Sequence, residues 1–450
     1  MQTLKIQNIF FVCTSLLRVR TPVKHFCISC LASLLKYSCP WLLKELWIYY
    51  IVEPVLLGIF LLTVLAGTTF SPLFSQKSLN EATLPPELFR PKILTDFERR
   101  FPAPAGLEAH IVFWRMVFSR YTSRQALLHD TIYPQVLYEV VDRDRQPGIR
   151  RTVRKYKNIL WQLHQWERTK SSRELSAEEK KVFRLFAGIT EDHKFRKAAS
   201  SRRMRVQIGQ RDNFIRAIAL SGLYQKHFEE IFQSYSLPVE LTRIPFVESF
   251  FNPDAYSSAG AAGIWQFMPA TARIYDLQVN SRIDERYDAF KAADSAARLL
   301  KANYELLGSW PLAVTAYNHG PYGILKAIRL LDTKDLGVIV RKYHGKSFGF
   351  YSRNYYAQFL AAAGLMLDYQ RYFGSIKALP GLQYESVTIE RQIFLNDLLS
   401  ELAIPKDELL ILNKSLKRSV LQSRIPLPKH FTLKLPLGKK ALFLARYSNL

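Results

Sequence analysis

Beyond Cys39 this chain of 450 residues has no cysteine; Cys13, Cys27, Cys30 and Cys39 are all it holds. A disulfide framework or cysteine-ligated metal cluster is thereby excluded from everything downstream. That absence is compatible with an oxidising compartment and does not require one. Cys27 and Cys30 have CxxC spacing, but no second pair follows, and the apolar flanks suit ordinary thiols better than a metal or redox site. Acidic residues are also scarce. The 38 Asp and Glu face 63 Lys and Arg, for a formal net charge of +25. That deficit favours anionic partners: nucleic acid, acidic lipid or an acidic polymer. The basic residues are dispersed, with short runs at Arg150-Arg151, Arg154-Lys155 and Arg202-Arg203. No zinc finger, RNA-binding aromatic pair or basic zipper accompanies them, so no nucleic-acid partner is expected. Internal repeats and long low-complexity tracts are missing too. What is present is apolar bulk: 48% of residues are hydrophobic, enough for two to four domains with real cores.

Composition divides the chain. Residues 1–46 fit a signal peptide badly and read either as an over-extended start or as a basic-aromatic leader; no methionine lies between Met1 and Met116. Residues 47–75 hold an almost wholly apolar run, Trp47 to Phe70, with Glu53 its one charge. Its dense part, Val55–Ala66, has the length of a signal-peptide core, and Val64-Leu65-Ala66 suits cleavage. The full run could also span a bilayer, so export, cleaved or anchored, is expected. Thr68 stands where a bacterial lipoprotein would carry cysteine, which excludes lipid attachment there. Residues 76–96 read as a proline-bearing linker, and 97–235 as a helical N-terminal domain. Its clearest apolar periodicities are Lys157–Trp166 and Phe214–Phe232, with a polar break at Ser171–Glu178. Further on, Asp288 can cap a helix ending before Gly308, and Pro311 can start another that breaks at Gly320-Pro321.

One acid stands out. Pro238 suits a helix's first turn, Pro245 predicts a kink, and Pro253 should end the helix near Asn252. Leu241, Ile244, Glu248 and Phe251 then share one face, which puts Glu248 on an apolar stripe. Desolvation there raises a carboxyl pKa and fits Glu248 for general-acid work near neutral pH. The competing reading is a carboxylate neutralised by a hidden arginine such as Arg243.

Downstream runs Asn252-Pro253-Asp254-Ala255-Tyr256-Ser257-Ser258-Ala259-Gly260-Ala261-Ala262-Gly263-Ile264-Trp265-Gln266-Phe267-Met268-Pro269-Ala270-Thr271-Ala272, and later Ala316-Tyr317-Asn318-His319-Gly320. With Glu248-Ser249 these residues closely resemble the catalytic domain of bacterial lytic transglycosylases of the soluble-lytic-transglycosylase (SLT) type, nearest the membrane-bound D-like branch. The match covers about 236–375. The resemblance implies a mainly α protein with a lysozyme-like helical domain that binds peptidoglycan glycan strands and needs no cofactor or metal. It implies Glu248 as the catalytic acid/base. Ser257 and Gln266 would contact the sugar, Tyr317 and Asn318 would form the cleft floor, and Tyr355 would approach the acid. The expected reaction cleaves between N-acetylmuramic acid and N-acetylglucosamine without water and leaves 1,6-anhydromuramoyl ends. A usual glycosidase would need a second carboxylate. Glu240 and Asp254 are nearest in sequence, but neither matches a catalytic position of the motif.

Other readings compete. Gly260 and Gly263 could be turn glycines. Trp265, Phe267 and Met268 suit a core, with polar Gln266 between them the better ligand contact. His319 reads as structural or solvated. Residues 382–450 resemble a degenerate LysM module, with short strands at Val387–Ile389 and Phe431–Leu435 around helical patterns at Leu395–Leu402 and Lys406–Leu412. A small α+β appendage closing the catalytic domain is the alternative. Competing functions are a goose-lysozyme-type hydrolase and a non-catalytic wall-binding protein. The expected location is the periplasm or cell envelope, with the membrane reached through the 47–75 segment.

Overall fold

The computed structural model describes residues 95–145 and 148–447. The leader, the apolar 47–75 segment and nearly all of the linker lie outside them. No helix among the described residues is long and apolar enough to cross a membrane. The described chain is mainly helical, as expected.

Three hydrophobic cores organise it. The largest joins helix α1 (Glu108–Ser119) to most elements between Arg211 and Phe373. A second lies between a three-stranded antiparallel sheet and helices α2 (Ile149–Thr169) and α3 (Ala177–Leu185). The sheet corrects the expectation of helix throughout 97–235. Its strands are β1 (Gln125–Asp130), β2 (Leu137–Asp142) and β3 (Met204–Ile208), in the order β2-β1-β3. Strand β1 is the centre strand, pairing Ala126 with both Val141 and Ile208. A buried ion pair ties the sheet together. Arg203 donates to both Asp130 oxygens at 2.9 Å and to Glu191 at 2.8 Å. One arginine of the Arg202-Arg203 run is thus engaged internally.

The expected helix over Phe214–Phe232 is two, α4 (Arg211–Ser221) and α5 (Gln225–Ser234). The break falls at Gly222, where a Cβ would stand 2.3 Å from the Leu379 carbonyl oxygen. After a short 3₁₀ turn come α6 (Pro245–Glu248), α7 (Pro269–Ile274), α8 (Ala289–Leu307), α9 (Trp310–His319), α10 (Pro321–Leu331) and α11 (Phe350–Leu367). The start and stop signals hold. Asp288 Oδ1 accepts from the Phe290 and Lys291 amides, and Gly308 ends α8 at φ 76°. Pro311 opens α9.

The third core belongs to the tail. Strands β4 (Glu385–Thr388) and β5 (Thr432–Leu435) pair antiparallel, with helices Leu395–Glu401 and Lys406–Leu412 between them. Ile283 from the preceding domain enters this core. The Asp284 amide donates to the Ser415 carbonyl at 2.8 Å, and the Lys417 amide to the Arg282 carbonyl at 2.9 Å. Lys434 forms a buried ion pair with Asp288, the capping residue of α8. The tail is therefore joined to the segment just after the motif loop.

Candidate active site

Pro245 kinks no helix here: it is the first residue of α6, where its missing N–H costs nothing. The helix stops at Glu248 rather than near Asn252, because Phe250 and Phe251 turn left-handed at φ 52° and 56°. Such angles are rare for bulky residues and need tertiary packing to persist. The rings supply it. Phe251 is fully buried 4.8 Å from Phe246, and Phe250 packs edge-on against Phe118 at 6.1 Å. Ser249 anchors the turn by donating to the Ile264 carbonyl at 2.7 Å.

Glu248 keeps a narrow solvent-exposed face and is otherwise packed in protein. Arg243 does not neutralise it, since that guanidinium pairs with Glu229 at 2.9 Å. The partner is Tyr355 on α11, whose hydroxyl donates to Glu248 Oε1 at 2.5 Å. Burial pushes the carboxyl from 4.5 up to about 7, and the Tyr355 hydrogen bond opposes that rise by favouring the ionised form. Tyr317 on α9 stacks on Tyr355 with ring centroids 6.4 Å apart and planes at 11°. Its hydroxyl donates to the Trp265 carbonyl at 2.8 Å, which links α9 to the motif loop. Burial and the nearby Glu248 raise both tyrosine pKa values well above 10, so both phenols stay protonated donors.

The two acids nearest in sequence are engaged elsewhere. Glu240 meets Arg100 at 3.0 Å, and Asp254 meets Lys414 at 2.9 Å. Among the described residues no other carboxylate perturbs Glu248; burial and Tyr355 account for its shift.

The motif loop folds back on itself. The Ser257 amide donates to the Ala261 carbonyl, and the Ala261 amide donates to Ser257 Oγ, both at 2.9 Å. Gln266 takes φ 51°, and its Nε2 donates to the Gly263 carbonyl at 2.9 Å. Gly263 is more than a turn residue. At φ 76° its absent Cβ would lie 1.9 Å from the Arg286 carbonyl oxygen. Gly260, at φ 91°, meets nothing nearer than 3.7 Å and serves the turn alone. Trp265 and Phe267 are buried, as expected of core residues, whereas Met268 is 42% exposed and is not core. His319 packs edge-on against Phe348 at 4.9 Å, a structural placement.

Glu248, Tyr355 and Tyr317 thus come together. Gln266 and Ser257 lie on the loop that Tyr317 anchors. Asn318 hydrogen-bonds to none of these; its Oδ1 accepts from Ser352 on α11 at 2.9 Å. Sequence reasoning gave no role to Ser249, although it belongs to the motif, and missed Ser352 and, above all, Arg286. The Arg286 guanidinium is clamped by Asp284 through bonds of 2.8 and 2.7 Å. It donates onward to the Gly260 carbonyl at 2.7 Å and the Phe267 carbonyl at 3.1 Å. The spacing Asp284-x-Arg286 carried no signal of its own, because its partners are backbone carbonyls of a distant loop.

The fold and site together define a mainly helical domain with a part-buried acid at a helix end, bonded by Tyr355, on which Tyr317 stacks. Residues 228–336 match the family model described as "Transglycosylase SLT domain". Over 145 residues the chain is 34% identical to "Membrane-bound lytic murein transglycosylase D" of Escherichia coli strain K12 and to the protein of that name from strain O6:H1. Each match covers 30% of this chain and 30% of the relative, so the chain spans less than a third of the curated relatives it matches. Among solved structures, the 70 kDa soluble lytic transglycosylase of Escherichia coli is 20% identical, covering 49% of this chain and 43% of that one, with a TM-score of 0.27. The resemblance carried by the motif is borne out by the family match.

Proposed function

We infer that this protein is a peptidoglycan lytic transglycosylase, a carbon–oxygen lyase acting on the β-1,4 bond between N-acetylmuramic acid and N-acetylglucosamine. The observation that carries the reading is Glu248: one largely desolvated carboxyl raised to about 7, with Tyr355 donating to it. Near neutral pH such a group is populated in both forms. Protonated, it gives its proton to the glycosidic oxygen as the C1–O bond breaks. The substrate's acetamido group stabilises the resulting cation. Ionised, and supported by the Tyr355 hydroxyl, it then takes the proton from the C6 hydroxyl as that oxygen bonds to C1. Atoms balance without water, and holding O6 over C1 makes the second step intramolecular. Ser257 and Gln266 would orient sugar substituents from the loop, and Tyr317 and Asn318 would do so from α9.

Glu240 and Asp254, the acids nearest in sequence, pair with Arg100 and Lys414, which supports this chemistry over ordinary two-acid hydrolysis. Names of the relatives that include "murein" and "membrane-bound" support a glycan substrate and the cell envelope. Export, with the 47–75 segment cleaved or kept as an inner-membrane anchor, belongs to the same proposal. So do a periplasmic location and a LysM-like role for the tail. The test is mass spectrometry of products released from purified sacculi by the full-length protein. Products lighter by one water than the hydrolytic ones are expected. Hydrolytic products would assign a goose-lysozyme-type hydrolase, and no products would leave a wall-binding protein.

A further inference from the structure

Outside the motif domain, helix α2 carries an exposed tryptophan, Trp161, whose placement its own core does not require. Its inner face, with Tyr156, Ile159, Leu160 and Leu163, fills the second core. Trp161 points away from that core and is 47% exposed. Gln162, Gln165 and Thr169 follow it on the same outer stripe, by helical spacing. Together with Trp166 and Arg173 they line a concavity of about 620 Å³.

Its walls are fixed rather than loose. The Trp166 indole N–H donates to the Arg173 carbonyl at 2.9 Å, and its ring meets Phe183 edge-on at 5.7 Å. The Arg173 guanidinium is held in a two-point bond to Glu179, at 2.9 and 2.8 Å. That pairing cancels the one acid in the lining. Arg168 donates to Gln165 Oε1 at 3.0 Å, which sets a cation beside that lining residue. The Gln162 amide has no hydrogen-bond partner among the described residues.

Exposed indole surface, unspent amide groups and positive charge suit an amphipathic anionic polymer. A pyranose offers an apolar face of axial C–H groups to an aromatic ring, and N-acetyl and hydroxyl groups to amides. Muramoyl lactyl groups and stem peptides add the carboxylates that Arg168, beside Gln165, would meet. We propose that this concavity on α2 is a second glycan-binding site, which holds a peptidoglycan strand on the N-terminal part while Glu248 acts elsewhere on the wall. The identity of the polymer rests on the lytic-transglycosylase reading; the aromatic, amide-lined site itself does not.

The test uses full-length protein, with Trp161→Ala and Trp161→Phe variants, in association with sacculi and with glycan strands stripped of stem peptides by an amidase. Trp161→Ala should bind both roughly tenfold more weakly, the scale of one lost aromatic contact, and Trp161→Phe should recover most of that loss. KM on sacculi should rise for Trp161→Ala with kcat unchanged, and cleavage of short soluble fragments should be unaffected. Melting temperatures should stay close, because Trp161 is half-exposed and its ring packs on His164 outside the core. Unchanged association of Trp161→Ala would overturn the proposal. So would a loss seen only with peptide-bearing sacculi, or one seen with anionic lipid vesicles and not with glycan. If wild type released no product yet bound stripped strands through Trp161, the enzymatic reading would fail and the site would stand.

Discussion

Replacing Glu248 by glutamine should improve stability while removing the chemistry, and the two effects come from the same burial. The native carboxyl titrates at about 7 against 4.5 in its ordinary state. Below 4.5 both folded and unfolded chains hold the proton, and burial costs nothing extra. Between the two values the folded chain keeps a proton that the unfolded chain has released, so stability falls as pH rises through this window. Above about 7 the full cost of an ionised buried carboxyl is present. At 1.36 kcal/mol per pH unit that cost is about 3 kcal/mol. Glutamine matches the shape, still accepts from Tyr355, and carries no such cost. For a cooperative unit of ~350 residues, with unfolding entropy near 2 cal/mol/K per residue, the gain corresponds to about 4 °C. Melting curves of wild type and Glu248→Gln should therefore diverge by that amount at pH 8 and converge at pH 4.5. Coincident curves at pH 8 would refute the burial argument. In parallel, release of anhydromuropeptides from sacculi should fall by more than the roughly 10²–10⁴-fold of a single acid–base contribution, since both half-steps lose their catalyst. A folded variant that kept more than about a tenth of wild-type activity would refute the role of Glu248 itself.

Tyr355→Phe should raise the Glu248 pKa further, because the lost hydrogen bond favours the ionised form; the alkaline limb of the pH–rate profile should move upward, and an unmoved limb would count against the contact. Gly263→Ala should abolish activity and lower the melting temperature far more than Gly260→Ala, which meets open space and should cost only about 1–2 kcal/mol of left-handed strain. Equal effects of those two variants would undo the close-approach argument. Lys434→Met should leave Asp288 buried and unpaired at a cost of about 3–5 kcal/mol, seen as early proteolysis of residues 382–447, with Asp288→Asn in the same chain restoring part of it. A tail as protease-resistant as wild type would show that the backbone joints alone hold it.

Where local chemistry decided structure, the sequence was legible. Asp288, Gly308 and Pro311 marked helix ends that the fold respects, and the tail's strands and helices fell within a residue or two of expectation. Where distant partners decided it, the sequence was silent. Strand β1 reads Gln-Ala-Leu-Leu-His-Asp, an apolar run too short and unalternating to separate from a helix, because it is the buried centre strand of its sheet. The helix ending at Glu248 was placed too long because Pro253 is a visible stop, whereas the left-handed turn at Phe250 and Phe251 depends on aromatic packing from α1, α5 and α6. The approach of Tyr355 to Glu248 was expected from the family resemblance. The Arg286 clamp was not, since an arginine that bonds backbone carbonyls leaves no pattern in the residues it holds.

These surprises have one cause. Between Phe250 and Gln266 the chain adopts left-handed φ at Phe250, Phe251, Gly260, Gly263 and Gln266, and it does so beside a buried acid. Strain of about 1–2 kcal/mol for each non-glycine residue, added to the carboxyl's desolvation, would not persist in an isolated loop. It persists because the surroundings over-determine it. Phe228 and Phe232 pack against Trp265 at 5.2 and 5.5 Å, Arg286 fixes the loop's carbonyls, and Tyr317 ties Trp265 to α9. The tail adds its joints at Arg282, Asp284 and Asp288, on the same segment that carries the clamp. A largely desolvated acid on a strained turn needs support from outside its own motif. That need explains why residues from α5, α9 and the Asp284–Arg286 segment converge on one loop.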